Sequence, residues 1–326
     1  MKVLVTGARG FIGQNLVRTL TALPALRDAN DTEFAPTEIV TTDREGEARP
    51  DARVRFCPGD IADPRFVRQL IDADTGLVFH LAGVLSGAAD ADFGLGMRVN
   101  IDGTRNVLEA MRALGAPVRL VFASSIGVFG VPLPEAIDDD TPPRPALSYG
   151  AQKLVCETLL DDYTRRSYVD ARSLRLPGIV VRPRSPSGAL SAFNSDLIRE
   201  PLEGRDYTCP VGLDAVLWIQ SVERCVKNLL HAAMLANAVL GGRRTLNLPC
   251  VVASIAEIVD AIGGIAGGEA AARVRVAPDA GLQAQFGSWP RKFSAARAKA
   301  LGFESDSNLT DIIRRYVEAR PQEESP

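Results

Sequence analysis

Tyr149 and Lys153 lie four residues apart in a segment of helical character, residues 148–166, so their side chains share one face a single turn apart. A free phenol has a pKa of roughly 10, too high for a base near neutrality, and a neighbouring ammonium favours its ionised form. Ser125 closes an apolar strand at the edge where parallel sheets bind ligands, and a hydroxyl there can hold the same substrate oxygen. Together the three side chains can take the proton of an alcohol while its carbon gives up a hydride. Neither histidine competes as a base. His80 sits in an apolar strand as a satisfied core residue and His231 on a Leu/Ala-rich helix, so a Ser–His–Asp triad is hard to assemble.

A hydride needs an acceptor, and Gly7-x-x-Gly10-x-x-Gly13 marks where one would bind, between the end of a strand and the start of a helix. The first glycine permits the tight turn, the second lets the backbone approach a pyrophosphate, and the third lets helix and strand pack closely. Free N–H groups at the helix N-terminus complete the phosphate site. Asp43 ends the second strand, where a carboxylate accepts both adenosine ribose hydroxyls and repels a 2′-phosphate, which favours NAD over NADP. Arg9 and Arg44 beside it are the residues that could meet a phosphate instead. Asp60, in Gly59-Asp60-Ile61, is placed to reach the adenine amino group or to cap a turn.

The elements that must position these groups follow from hydrophobic periodicity. Strands are expected at 2–6, 38–42, 54–56, 77–81, 119–124 and 171–181, and helices from the glycine turn to about 23 and at 64–73, 89–114 and 148–166. Residues 28–37 are polar and aperiodic, and residues 131–145 carry five prolines and four acidic residues, so both read as loops. The alternation predicts an α/β fold, a Rossmann doubly wound parallel sheet with a smaller C-terminal α/β substrate lobe. Residues 1–181 plus about 213–246 are assigned to the dinucleotide-binding domain, with a helix at 222–236 returning to it. About 182–212 plus 247–326 are assigned to the lobe. Beyond a Gly/Ala-rich tract at 262–272 the chain carries no functional signal; 290–303 reads as a surface helix preceded by a loop, and 321–326 as a disordered tail.

A chain of 326 residues with 46% hydrophobic and 24% charged residues has ordinary globular composition, and its net charge of −3 provides no broad positive field for nucleic acid or anionic membrane. The five cysteines, at 57, 156, 209, 225 and 250, show no metal-ligand spacing, so neither zinc nor a disulfide framework is expected. Met1-Lys2 runs straight into an apolar strand without a signal-peptide pattern, and no apolar run is long enough to span a membrane. A cytoplasmic protein with reduced thiols is expected.

The combination of motifs resembles the extended short-chain dehydrogenase/reductase superfamily. It is carried by TGARGFIG (6–13), Asp43, GDI (59–61), HLAG (80–83), VNIDGT (99–104), ASSIGVFG (123–130) and YGAQK (149–153), in order over about the first 180 residues. The resemblance implies cofactor contacts at Gly7, Gly10, Phe11, Ile12, Gly13, Asp43, Asp60, Ile61, Leu81, Ala82, Ala123, Tyr149, Lys153 and Pro177, with Asn100 supporting the site. It also implies catalysis by Ser125, Tyr149 and Lys153, without a metal. Phe129 stands where the family usually has tyrosine, at a position that is not the catalytic one.

Departures from the family narrow the reaction. Ser125-Ile126-Gly127 replaces the TDE triplet of nucleotide-sugar dehydratases, so the acid and base that elimination needs are missing. Gly178 stands where nucleotide-sugar epimerases commonly hold the substrate diphosphate with asparagine, and where uronate dehydrogenases have serine. Residues 175–212 and the segment after them resemble D-erythronate dehydrogenases. That implies NAD-dependent oxidation of the C2 hydroxyl of a four-carbon sugar acid, by a homodimer. Arg182 and Arg184, flanking a proline past the sixth strand, are candidates for the substrate carboxylate, since a planar guanidinium suits it. Ser86 and Asn194 are candidate contacts for substrate hydroxyls. The alternatives are a nucleotide-sugar 4-epimerase, which would not accumulate NADH, a uronate dehydrogenase, and a non-catalytic NAD-binding sensor.

Overall fold

In the computed structural model, residues 1–46, 51–184 and 188–319 are described, and the tail expected to be disordered lies outside them. The chain begins with β1 (Lys2–Thr6), every residue of which is buried, and turns into α1 (Phe11–Leu20). Then follow β2 (Glu38–Asp43), β3 (Val54–Pro58), α2 (Pro64–Leu70) and β4 (Thr75–His80). α3 (Gly103–Arg112), β5 (Arg119–Ser125), α4 (Ser148–Arg165) and β6 (Asp170–Leu176) continue the alternation. The large sheet has the order β9-β6-β5-β4-β1-β2-β3, all parallel, with β9 (Thr245–Asn247) supplied from far along the chain. Strands of such a sheet are covered on both faces and therefore read as continuous apolar runs. Val3 and Val5 pack with Leu16 and Leu20 of α1 on one face, while Leu4 packs with Val107, Phe122 and Leu160 on the other. The strand order reverses beside β1, which opens a crevice at the carboxyl edge where the glycine turn lies.

Pro177 divides what the sequence suggested was one strand over 171–181. β6 stops at Leu176, and β7 (Gly178–Val180) pairs instead with β8 (Val216–Ser221) in a second sheet completed by β10 (Val251–Ser254). Proline has no N–H for the ladder, so the chain can change sheets there. α5 (Phe193–Leu202) and α7 (Ile255–Ala266) pack on this second sheet, whereas α6 (Val222–Met234) packs on α1 and β5. We propose that the lobe boundary runs through Pro177, with β8 on the substrate side.

Three local expectations are corrected. Residues 28–37 are not a plain loop: Leu26–Arg27 pairs antiparallel with Glu33–Phe34 across a turn in which Asp28 Oδ1 accepts the N–H groups of Asn30 and Thr32. The helix expected over 89–114 is broken at Asp92, whose carboxylate caps the next turn through Leu95 N–H, and runs through a π-helical stretch, Met97–Asp102, before α3. Finally, the surface helix expected over 290–303 is confined to Ala296–Ala300, exposed at Ala296, Lys299 and Ala300; its inner face buries Ala298 with Ala295 and Phe303 in the large-domain core, Phe303 standing edge-on to His231.

Candidate active site

A cleft of about 590 Å³ runs along the carboxyl edge of the large sheet and ends between the two sheets. Gly7, Gly10, Phe11, Ile12, Gly13, Asp43, Asp60, Ile61, Leu81, Ala82 and Ala123 line its first half. Gly7 has φ +68°, and a Cβ there would lie 2.6 Å from the Ala82 nitrogen, so the turn takes glycine alone. A Cβ on Gly13 would strike the Gly7 carbonyl at 2.2 Å, which is why α1 can start against β1. Asp43 Oδ2 accepts from Arg9 N–H at 3.0 Å and Oδ1 from Arg44 N–H at 2.9 Å, holding the carboxylate at the mouth. Asp60 lines the cleft and also caps a turn, its Oδ1 accepting from Ala62 N–H.

His80 is a core residue. It is fully buried between Thr6 Oγ1 at 2.7 Å and Thr104 Oγ1 at 3.0 Å, and burial, with the Lys153 charge adding to it, pushes its pKa down to about 3. The imidazole is neutral in the native state while the unfolded chain takes a proton below the usual 6.5. Native stability is therefore expected to fall as pH drops from 6.5 toward 3, by about 1.4 kcal/mol per unit from this residue. Urea titrations of wild type and His80→Gln at pH 7 and pH 5 measure it, and an unchanged slope in the variant would remove His80 as the cause.

The second half of the cleft collects the residues with chemical potential. Lys153, only 4% exposed, donates from Nζ to the Ala123 carbonyl at 2.8 Å, 4.5 Å above the Phe122 ring centroid and 5.7 Å from that of Tyr149. Ser125 Oγ accepts from Gly127 N–H at 3.0 Å. Tyr149 reaches this turn because two glycines make room: a Cβ on Gly150 would strike the Gly127 carbonyl at 2.0 Å, and one on Gly127 would crowd Ser125 Oγ at 3.2 Å. One turn beyond Lys153, Glu157 forms a buried bidentate pair with Arg175 at 2.8 and 2.9 Å and accepts the Ser124 hydroxyl, which pins α4 to β5 and β6.

The remaining candidates divide. Pro177, Ser86, Arg182 and Asn194 line the cleft. Asn100 lies behind its wall, bonded on both sides of Val84 and to Gln152, so it shapes the wall rather than facing the cleft. Arg184 is also outside the lining and pairs with Glu200. Arg182 is held by its backbone N–H on Ser195 Oγ and by Nε on the Ile179 carbonyl; burial pulls its pKa down, with Tyr149 and Asp196 opposing. Among the described residues, Lys153 and Arg182 are the charged residues lining the second half, and the lining carboxylates, Asp43 and Asp60, lie at the other end.

Sequence reasoning missed the roof of the second half. Gln285, Phe286 and Trp289 come from α8 (Ala280–Phe286) and the turn after it, and Trp218 from β8. The two indoles pack at 4.5 Å between centroids, and Trp218 Nε1 donates to the Pro290 carbonyl. The one legible signal was two aromatics, Phe286 and Trp289, three residues apart.

Residues 3–218 match the family model described as NAD dependent epimerase/dehydratase family. The chain is 44% identical to a D-erythronate dehydrogenase of Cupriavidus necator over 319 residues, covering 98% of both proteins. It is 35% identical to a D-erythronate dehydrogenase of Haemophilus influenzae, with 98% of this chain and 99% of that protein covered. The crystal structure of a nucleoside-diphosphate-sugar epimerase from Agrobacterium tumefaciens superposes with a TM-score of 0.89 at 35% identity, over 98% of this chain and 94% of that one.

Proposed function

The chain belongs to the NAD dependent epimerase/dehydratase family, and from that premise we propose that it oxidises the C2 hydroxyl of a small sugar acid, D-erythronate foremost, to the 2-oxo acid. It is an NAD-dependent oxidoreductase. The observation that carries the proposal is the charge of the second half of the cleft, where Lys153 and Arg182 stand without a lining carboxylate among the described residues. Such a site accepts an anion and offers an amino acid no partner for its ammonium group. The two erythronate dehydrogenases support the same substrate class. A nucleotide-sugar epimerase is the second reading, favoured by the Agrobacterium structure. It is weakened by Gly178, which leaves no side chain to hold a diphosphate at that position.

In the proposed reaction the Gly7–Gly13 turn and the α1 N-terminus hold the pyrophosphate, Asp43 the adenosine ribose, Asp60 the adenine amino group and Lys153 the nicotinamide ribose. The chemistry that bound NAD would supply there is a hydride acceptor for C2. Arg182 holds the substrate carboxylate, Ser125 donates a hydrogen bond to the C2 oxygen, and the Tyr149 phenolate takes its proton. Homodimer assembly and a cytoplasmic setting belong to the same proposal.

The test is absorbance at 340 nm with NAD across a panel of aldonates and hexuronates. NADH formed from D-erythronate supports the reading; formation only from hexuronates moves the substrate, and none from any acid overturns it. In the same assay Arg182→Met is expected to raise KM by about 10- to 100-fold with a smaller change in kcat, as loss of a charge-assisted contact made before the chemical step requires. An unchanged KM would remove Arg182 from the carboxylate site.

A further inference from the structure

Two residues with side-chain amides, Asn194 and Gln285, line the substrate end of the cleft with amide groups unpartnered among the described residues. Asn194, in the first turn of α5, is 6% exposed, and its Oδ1 is buried without a hydrogen-bond partner among the described residues. A buried acceptor left unmade is costly and uncommon, so a donor is expected to reach it. The amide has its place because position 178 is glycine: a Cβ there would lie 2.8 Å from Asn194 Nδ2. The adjacent Ser195 accepts the Arg182 N–H at 3.1 Å, so one helical turn sets both the carboxylate anchor and the amide beyond it.

Gln285, on the roof helix α8, is the second. The residue lines the cleft; its backbone carbonyl accepts from Trp289 Nε1, and its half-exposed side chain has no hydrogen bond among the described residues. α8 is fixed by Gln283, whose Oε1 accepts the Gly212 N–H at 2.8 Å. Phe193 and Phe286, the neighbours of these two residues, meet edge-to-face at 5.3 Å, which brings α5 and α8 together over the same end of the cleft.

We propose that Asn194 and Gln285 form a carboxamide clamp for the hydroxyl groups that the substrate carries beyond C2. Each amide offers donors and an acceptor without charge, which matches a hydroxyl, itself both donor and acceptor. The clamp rests on the sugar-acid reading of this site and adds what that reading lacks, a reason for preferring a polyhydroxy acid over a plain 2-hydroxy acid. A site that hydrogen-bonds substrate hydroxyls rejects the analogue lacking them, because its own polar groups are then left unpaired.

The experiment compares kcat/KM, with NAD, for D-erythronate and for the 2-hydroxybutyrate of the same C2 configuration, in wild type, Asn194→Leu and Gln285→Met. Wild type is expected to prefer erythronate by at least about a hundredfold, and each variant to shrink that ratio by about tenfold or more. Gly178→Ala, which pushes on the Asn194 amide without touching its chemistry, is expected to shrink it too. NADH binding, followed by fluorescence, checks that each variant is folded. A wild type that turns over both acids equally well, or variants that keep its preference, would overturn the clamp while leaving the 2-hydroxy-acid reading intact. NADH from neither acid would overturn that reading and the clamp with it.

Discussion

Tyr149→Phe is expected to lower kcat by about 10²- to 10⁴-fold while the protein still binds NADH, because the change removes one oxygen and leaves the ring, its packing and Lys153 in place. That oxygen is placed where it can act. Lys153 holds its ammonium 5.7 Å from the Tyr149 ring centroid, tethered to the Ala123 carbonyl, and Ser125 Oγ lies on the turn that Gly127 and Gly150 bring against the ring. His80, the nearby imidazole, is buried between two threonines with its pKa near 3, so it cannot substitute as the base. The measurement is single-turnover NADH formation under saturating acid, beside fluorescence titration with NADH. A variant that retains wild-type kcat would remove Tyr149 from the chemistry. A variant that loses NADH binding as well would place its role in the fold of the cleft.

Much of the fold was legible because a buried parallel strand and an amphipathic helix each leave a local imprint. β1, β5 and α1 fall where apolar runs and 3.6-residue spacing put them, and the glycine turn falls at the strand reversal. What failed to show locally was set by partners distant in the chain. The change of sheet at Pro177 depends on β8 being there to receive β7, and the residues run together as one apolar stretch. The break at Asp92 in the helix expected over 89–114 carries neither proline nor glycine at its cap, so only the backbone reveals it. The site divides in the same way. Residues at strand ends carry a motif, whereas Gln285 and Trp289 reach the cleft through aromatic contacts with α5 and β8 that no spacing encodes. Arg182 and Arg184 look equivalent in sequence and differ in space, because Glu200 takes one of them.

Glu157→Gln is expected to destabilise the protein by about 3–5 kcal/mol, because it leaves the Arg175 guanidinium buried without its counter-charge. Arg175 is committed on every side: bidentate to Glu157, to Asn247 Oδ1 at 3.3 Å, and with its guanidinium carbon 5.2 Å from the Phe129 ring centroid. No rotamer returns it to water without abandoning those contacts. Scanning calorimetry should show the loss as a fall in Tm on the order of 10 °C. Removing both charges in Glu157→Leu with Arg175→Met should recover most of it, since a buried pair is worth little more than well-packed apolar groups of similar volume. The pair should also matter to catalysis by position alone. Glu157 lies one turn from Lys153 and holds the hydroxyl of Ser124, the neighbour of Ser125. In the single variant kcat should fall with NADH affinity as Lys153 loses its fixed helix, and in the double variant both should recover together with Tm. A single variant as stable as wild type would mean that Arg175 finds another anion. A double variant that regains Tm but not kcat would show that the charge pair, and not the packing of α4, sets the geometry at Lys153.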